Sequence, residues 1–189
     1  MKIGLYFGSF NPVHIGHLII ANYVVNNTEL QQLWFVISPQ NPFKATKSLL
    51  NEYHRLHLIN ASIEGENKIK ASNIEFQLPK PSFTIDTLTH LKEKYPQHEF
   101  SIIMGSDSFC NLSKWKNSEL ILRDYPLYVY KREGFEIDNT INAQVHLLEA
   151  PLLQISSTNI RQLIKEGKSI RYMVPDIVKE DIERNGYYK

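Results

Sequence analysis

Two histidines near the amino terminus lie in a segment whose residue types are suited to binding phosphate. The segment runs from Gly8 to His17 and follows an apolar run, residues 3–7, that is typical of a buried strand. Gly8 allows the main chain to approach a ligand closely, and a helix starting here would present free N–H groups with a partial positive charge. His14 and His17 are three residues apart, so both would lie on one face of that helix. We therefore expect a phosphate cradle at this junction.

Other interpretations of the two histidines stay open. A histidine near a helix start can simply cap the helix or fill the core. A metal site is a further alternative, but no cluster of cysteines or carboxylates near the segment completes a coordination shell. The combination of a glycine turn, Pro12 and paired histidines at a strand-to-helix junction favours phosphate over metal, and we predict no metal ligands from the protein.

A second segment near the carboxyl terminus has the same character. It runs from Ile155 to Arg161 and follows another apolar run, residues 145–148. Ser156 or Ser157 is a natural N-cap, and Arg161 stands about one turn into the helix that would follow. Hydroxyls, free amides and a guanidinium would then converge on an anion. Taken alone, this pattern is first of all a capping signal, so its weight comes from its pairing with the first segment.

Together, the H-I-G-H and I-S-S-T-x-I-R patterns resemble those of the nucleotidyltransferase superfamily, whose members have Rossmann-like folds. Class I aminoacyl-tRNA synthetases share the first pattern, but they are much longer and carry a K-M-S-K-S-like loop. Within the superfamily the chain is most similar to bacterial nicotinate-nucleotide adenylyltransferases, which make deamido-NAD from ATP and nicotinate mononucleotide. The resemblance also covers residues 38–44, 82–88, 105–107 with Leu112 and Trp115, and 172–175.

The resemblance implies roles for individual residues. The triphosphate and the reacting phosphate would be contacted by His14, His17, Lys44 and Arg161, of which the two histidines and Arg161 would be catalytic. The remaining ATP contacts would come from Gly8, Ser9, Gly105, Asp107, Ser156 and Ser157, with Gly105 and Asp107 at the ribose. Thr84 and Trp115 would face the nicotinate, with the indole stacked on the pyridine ring.

Several of these residues have plainer explanations, which stay open. Trp115 could be a half-buried aromatic residue, Thr84 a helix N-cap, Asp107 the cap of a turn, and Lys44 an ordinary solvated lysine. Arg132, which follows the fifth apolar run, could approach the substrate or lie on the surface.

The chain departs from the family pattern at three positions. Phe7 stands where a first glycine is common, Asn11 replaces the usual aspartate, and Phe43 replaces a histidine before Lys44. Gly8 keeps the flexible position, and Asn11 can still form an Asx-type turn. Phe43 removes one polar contact, which makes the role of its loop less defined.

The implied chemistry is in-line attack by a phosphate oxygen of the mononucleotide on the α-phosphorus of ATP, with pyrophosphate as leaving group. The nucleophile is already anionic near neutral pH, so no general base is required. Catalysis would come from alignment and from stabilising charge on the phosphoryl oxygens. We expect Mg²⁺ on the phosphates, held mainly by ATP and water.

The elements that must position these residues follow from the apolar pattern. Strands are predicted at 3–7, 33–38, 69–78, 100–104, 127–130 and 145–148, and helices at 17–25, 52–63, 85–95, 118–123, 158–166 and 175–185. Continuous apolar strands that alternate with helices indicate an α/β, Rossmann-like, doubly wound fold, with a mainly parallel sheet and helices on both faces. We expect one nucleotidyltransferase domain, 1–189, with the helical part from about 156 to 189 packed on it. Ligands of such folds bind beyond the carboxyl ends of the strands.

Composition restricts the classes of partner. The formal net charge of +1 gives no electrostatic footprint for nucleic acid. Cys110 is the only cysteine, which fits a reducing compartment, and we expect the cytoplasm. Residues 3–28 contain no Asp, Glu, Lys or Arg, but polar residues interrupt their apolar runs well short of the roughly 20 residues of a membrane span. We therefore expect no membrane association, and whether the protein forms a homo-oligomer stays open.

Other functions remain as alternatives. The substrate could be nicotinamide mononucleotide or phosphopantetheine, or the chain could be a cytidylyltransferase. From a different class, a non-catalytic nucleotide sensor could keep the same fold. The presence of His14, His17 and Arg161 favours an enzyme, while the preference between acid and amide mononucleotides stays open.

Overall fold

Six parallel strands form the sheet at the centre of the protein, in the order β3-β2-β1-β4-β5-β6. The computed structural model describes residues 1–40, 48–137, 143–151 and 153–189. The strands are β1 Lys2–Gly8, β2 Gln32–Ile37, β3 Ile69–Ser72, β4 Glu99–Gly105, β5 Leu127–Tyr130 and β6 Val145–Leu148. This strand order and the parallel pairing confirm the predicted Rossmann-like fold.

Seven α-helices in the described residues connect and cover the strands. They are α1 Ile15–Asn27, α2 Glu52–Ser62, α3 Thr84–Lys94, α4 Ser106–Phe109, α5 Ser118–Asp124, α6 Ser157–Lys165 and α7 Asp176–Asn185. Two 3₁₀ turns lie at Ile74–Gln77 and Leu112–Lys114. All six predicted helices form, whereas the short α4 was not predicted.

Every strand except β3 contributes apolar side chains to both faces of the sheet. In β1, Leu5 packs into the cluster formed with α3, α4 and α5, while Tyr6 packs into the cluster formed with α1, α2, α6 and α7. Both side chains are buried. Because successive side chains of a strand point to opposite faces, this alternation places helices on both sides, as predicted. Val178 and Ile182 of α7 belong to the same cluster as α1 and the sheet.

The third strand is shorter than the apolar pattern predicts. The prediction of a strand over 69–78 is wrong beyond Ser72, because the chain turns into a 3₁₀ turn from Ile74. Glu75 in this turn is buried and accepts hydrogen bonds from the hydroxyls of Ser82 and Thr87 at 2.6 and 2.9 Å. These polar contacts prevail over the strand-like alternation of apolar residues in the segment.

The chain order places a crevice between β1 and β4. After β3 the chain crosses to the other side of β1, so the connections that follow β1 and β4 leave the sheet in opposite directions. Gly8 ends β1 and Gly105 ends the neighbouring β4, at the same edge of the sheet. Ligands of doubly wound sheets bind at such a point. Among the helices of the described ranges, none combines the length and hydropathy needed to cross a bilayer.

Candidate active site

The start of α6 is joined directly to the β1–α1 loop. The Ser157 hydroxyl donates to the carbonyl of Pro12 at 2.9 Å, and the Arg161 guanidinium donates to the carbonyl of Asn11 at 2.8 Å. These hydrogen bonds connect residues 145 and 150 positions apart in the chain. The loop and the first turns of α1 and α6 are called here the two-helix corner. The structure thus brings together the two segments that the sequence singled out.

The two histidines of the corner are stacked. Their ring centroids lie 3.6 Å apart with an interplanar angle of 23°. The spacing predicted that both histidines lie on one face of the helix. This is wrong for His14, because its extended backbone makes it the N-cap of α1. The main-chain N–H of His14 donates to Nδ1 of His17 at 3.3 Å, which leaves the proton of a neutral His17 on Nε2.

His14 is a buried, neutral imidazole. Its exposed fraction is 4%, and among the described residues its Nδ1 has no hydrogen-bond partner. Burial, together with the positive charge of Arg132, lowers the pKa of His14 to about 4. The ring therefore carries no charge near neutral pH, and it can offer a hydrogen bond without a net charge. A buried polar atom without a partner at a crevice is a place where a ligand atom can bind.

Gly8 is required by its neighbour Phe10. A Cβ atom on Gly8 would lie 2.8 Å from the ring of Phe10, which is buried against Tyr6 and Phe35. Phe10 itself has a φ of +45°, a conformation that is strained for a bulky residue. The turn after β1 therefore depends on glycine for internal packing as well as for the approach of a ligand.

Asn11 replaces the family's aspartate and uses both of its side-chain polar atoms. Its Nδ2 donates to the carbonyl of Ser48 at 2.8 Å, and its Oδ1 accepts from the N–H of Leu50 at 3.1 Å. The expected role in a local Asx-type turn is thus replaced by a bridge to the segment before α2. A carboxylate could not donate to Ser48, so this bridge is specific to the amide.

The other predicted ATP contacts lie at the ends of β4, β5 and α6. The carboxylate of Asp107 faces Arg132, with Nε and Oδ1 3.4 Å apart, and Arg132 donates to the Tyr130 hydroxyl at 3.4 Å. Asp107 does not cap a turn, since Gly105 is the N-cap of α4. Ser156 is the N-cap of α6 and accepts from the N–H of Asn159 at 3.1 Å.

A large cavity of about 1090 Å³ opens beside the two-helix corner. The residues that line it include His14, His17, Asp107, Arg132 and Ser156. Arg132, whose place was open from the sequence, lies in the cavity wall, and its side chain is 41% exposed. The wall of the large cavity also contains apolar side chains that could contact the base of a nucleotide, including Phe135, Leu147 and Leu153.

A small cavity of about 390 Å³ lies on the other side of the crevice. Its lining includes Gly8, Thr84, Trp115 and Glu75, and it shares Asp107 and Tyr130 with the large cavity. Thr84 is the first residue of α3, whose N-cap is Phe83, so the interpretation of Thr84 as the N-cap is wrong.

Two charged residues of the site were missed from the sequence. Arg55 of α2 is fully buried, and its guanidinium donates to the carbonyl of Ser9 at 2.6 Å. Glu75 is buried in the small cavity, and burial raises the pKa of its carboxyl. A signal for Arg55 was present, because it precedes Leu58 and Ile59 by three and four residues on one helix face.

The predictions for Lys44 and Phe43 and the expectation about a metal site remain to be compared with the structure. Lys44 and the neighbouring Phe43 lie outside the described residues. Within the ranges described above, no group of three or more His, Cys, Asp or Glu side chains is placed to hold a metal ion.

Comparisons with known proteins agree with this geometry. The family model described as "Cytidylyltransferase-like" matches residues 5–163. The "Probable nicotinate-nucleotide adenylyltransferase" of Flavobacterium psychrophilum is 50% identical over 192 residues, covering 100% of both chains. That of Cytophaga hutchinsonii is 51% identical over 191 residues, covering 100% of this chain and 98% of its own.

Solved structures show the same fold. The nicotinic acid mononucleotide adenylyltransferase of Plasmodium falciparum in complex with NaAD superposes with a TM-score of 0.86 at 23% identity, covering 99% of this chain and 97% of its own. The same enzyme in complex with APC gives a TM-score of 0.84 at 23% identity, with 99% and 96% covered.

Proposed function

We propose, from the premise that this chain belongs to the cytidylyltransferase-like family and within it to the nicotinate-nucleotide adenylyltransferases, that it transfers the adenylyl group of ATP to nicotinate mononucleotide. The products are deamido-NAD and pyrophosphate. The observation that carries the proposal is the meeting of two cavities at Asp107 and Tyr130, next to the histidine pair. A reaction between two nucleotides requires two such sites that open into each other.

The large cavity is the better place for ATP. It is lined by both histidines and by Ser156 at the start of α6, and the first turns of α1 and α6 direct partial positive charge to this corner. The small cavity is lined by Trp115, whose indole offers a flat surface for a pyridine ring. The start of α3 at Thr84 favours a carboxylate over a neutral carboxamide there, which supports the acid mononucleotide.

The reaction is a single displacement at phosphorus. A phosphate oxygen of nicotinate mononucleotide attacks the α-phosphorus of ATP, a new P–O bond forms, and the bond to pyrophosphate breaks. A phosphate monoester has a second pKa of about 6, so the nucleophile is mostly a dianion at neutral pH and no base is needed. The protein's task is to align the two phosphates and to stabilise the charge on the transferred group.

The corner offers both neutral and charged donors for this task. His14 and His17 offer imidazole hydrogen bonds, and His14 is neutral at physiological pH. Arg161 uses one nitrogen on Asn11 and another on the Thr158 hydroxyl at 3.3 Å. A guanidinium has five N–H groups, so others are left for a phosphate oxygen. Positioned donors of this kind strengthen as negative charge builds up in the transition state.

We expect Mg²⁺ to arrive with ATP. The large cavity is lined by the carboxylates of Asp107, Glu133 and Glu136, but Asp107 faces Arg132, and within the described residues no group of three or more His, Cys, Asp or Glu side chains is placed to hold a metal ion. Oxygen-rich ligation of Mg²⁺ fits the phosphates and water better than these side chains. When bound, the ion would neutralise phosphate charge.

We also propose a reducing compartment, the cytoplasm, which is supported by the single cysteine, Cys110.

Substrate competition tests the proposal. Purified protein is given MgATP with nicotinate mononucleotide, nicotinamide mononucleotide or phosphopantetheine, or MgCTP with the first, and pyrophosphate release is followed while mass spectrometry identifies the product. We expect the fastest release with ATP and nicotinate mononucleotide, with deamido-NAD as product. Faster turnover of another pair would reassign the substrate, and ATP binding with no pyrophosphate release from any pair would indicate a sensor.

A further inference from the structure

Arg55 is a fully buried guanidinium whose hydrogen-bond partners among the described residues are main-chain carbonyls. Nε donates to Leu50 at 2.8 Å, one terminal nitrogen donates to Ser9 at 2.6 Å and Ser38 at 2.9 Å, and the other donates to Pro39 at 3.2 Å. Its exposed fraction is 0%. One side chain of α2 therefore holds the segments that follow β1 and β2 and the segment that precedes α2 itself.

The described part of the chain provides no carboxylate within ion-pair distance of Arg55. The nine ion pairs of the described residues do not include it. The Tyr188 phenol lies within electrostatic range of both Arg55 and Arg161, and it is neutral because burial raises its pKa. The Glu52 carboxylate acts on Arg55 electrostatically but forms no ion pair with it, and a buried cation that no carboxylate contacts directly is costly even when carbonyl dipoles surround it. The cost is offset if an anion binds nearby.

The hydrogen bond to Ser9 fixes a strained point of the two-helix corner. The next residue, Phe10, has a φ of +45°, and such a conformation persists only when its surroundings enforce it. In a trans peptide the C=O and N–H groups point in opposite directions. With the Ser9 carbonyl directed at Arg55 inside the protein, the N–H of Phe10 is directed away from that buried side.

The same arrangement recurs along the loop. The carbonyl of Gly8 accepts from the N–H of Ser38 at 3.0 Å, that of Asn11 accepts from Arg161, and that of Pro12 accepts from Ser157. Carbonyl oxygens would repel phosphate. Because these carbonyls accept hydrogen bonds from other parts of the protein, fewer carbonyl oxygens of the loop are free to face a bound anion.

We propose that Arg55 is a positioning residue for ATP, which orients the β1–α1 loop for the triphosphate without touching it. This inference rests on the proposed function. The guanidinium fixes the carbonyls of Ser9 and Ser38 on the buried side of the loop. The negative charge of the bound polyphosphate balances its positive charge.

Conservative variants of Arg55 test this role. Arg55→Lys keeps the charge but loses the planar fork that reaches several carbonyls, and Arg55→Gln also removes the charge. We expect both to raise the dissociation constant of a non-hydrolysable ATP analogue, by about tenfold for Lys and more for Gln, since small misplacements in such sites are costly. The dissociation constant of nicotinate mononucleotide, measured by direct binding, should stay within about twofold of wild type. Arg123→Lys, at an exposed arginine of α5, is the control.

Two results would overturn the proposal. One is a folded variant with a lower melting temperature but unchanged affinity for the ATP analogue, since this would mean that Arg55 only stabilises the fold. The other is an equal loss of affinity for both substrates. Because analogue binding needs no turnover, these outcomes are independent of the transfer assay, and inactivity of the wild type would count against the proposed function alone.

If neither variant folds, the wild type still decides the question. The Nε–H of Arg55 should give a slowly exchanging NMR signal because it is buried. We expect the ATP analogue to shift this signal while the Nε–H signal of Arg123 stays in place. An unshifted Arg55 signal at saturating analogue would refute the coupling between this side chain and the triphosphate.

Discussion

The two-helix corner and the small cavity are built by different kinds of contact. The corner depends on side chains that hold main-chain carbonyls, and its hydrogen bonds from Ser157 and Arg161 connect residues 145 and 150 positions apart. The small cavity is organised locally, where Glu75 joins Ser82 and Thr87, which lie 7 and 12 positions away. Removing a side chain of the corner therefore shifts the backbone of the reacting region, whereas a change in the small cavity alters mainly the fit of one substrate.

This difference predicts separate kinetic effects. Variants of the corner should lose kcat, and variants of the small cavity should raise the KM for nicotinate mononucleotide. A corner variant that changes only that KM would break the distinction.

The largest effect is expected from His17→Ala and Arg161→Ala. Each removes a proposed donor to the reacting phosphates, and the loss of one well-placed donor costs about 10²–10³ in rate. Arg161→Ala also releases the carbonyl of Asn11. Steady-state rates of pyrophosphate release measure the effect, with Arg123→Ala and the exposed His57→Ala as controls. Near-normal kcat in both corner variants would remove their proposed roles.

The buried imidazole of His14 makes the corner sensitive to acid. In the unfolded chain this histidine binds a proton near its ordinary pKa of 6.5, but in the folded protein only at about 4. Its contribution to stability is therefore fully present above pH 6.5 and is lost as the pH falls toward 4. We expect a loss of about 2 kcal/mol in unfolding free energy between pH 7 and pH 5 from this group alone.

Urea denaturation of wild type and His14→Asn at the two pH values isolates this contribution. The variant should lose about 2 kcal/mol less than wild type over the same interval. Parallel pH dependence of wild type and His14→Asn would show that the imidazole is not held neutral by the fold.

A moderate effect is expected from Trp115→Ala in the small cavity. Stacking of an aromatic ring contributes about 0.5–1.5 kcal/mol, so the KM for nicotinate mononucleotide should rise about two- to tenfold with little change in kcat. Trp34 packs against Tyr95 away from both cavities, so Trp34→Ala should lower stability and leave this KM unchanged. Equal effects of the two substitutions on KM would contradict the assignment of Trp115.

The smallest effect is expected from Glu75→Gln, and its pH dependence is opposite to that of His14. Burial raises the pKa of the Glu75 carboxyl, so the protonated form stabilises the fold at low pH and this contribution is lost as the pH rises. The glutamine variant keeps a neutral group at all pH values. Its unfolding free energy, measured by urea denaturation, should therefore improve relative to wild type between pH 4 and pH 7. A constant difference across this range would contradict the raised pKa.

Sequence reasoning was most successful where function depends on residues close together in the chain. The segments around His14 and Arg161 each follow an apolar run and start a helix, and both properties are local. Arg55 shares a helix face with Leu58 and Ile59, which indicates burial, but its partners are main-chain carbonyls, which carry no residue-type signal for its role. The strand prediction for 69–78 ran too far because apolar alternation cannot reveal that Glu75 accepts hydrogen bonds from the hydroxyls of Ser82 and Thr87. Local pattern therefore gave the fold and the corner, while tertiary polar contacts stayed hidden.

The amide of Asn11 also bears on how the protein ages. Asparagine loses ammonia most readily when the following main-chain nitrogen attacks its side chain and closes a succinimide ring. The next residue is Pro12, whose ring nitrogen carries no hydrogen to give up, so this route is closed. The bridge to Ser48 and Leu50, which a carboxylate could not reproduce, is thereby protected from the commonest spontaneous damage to asparagine side chains.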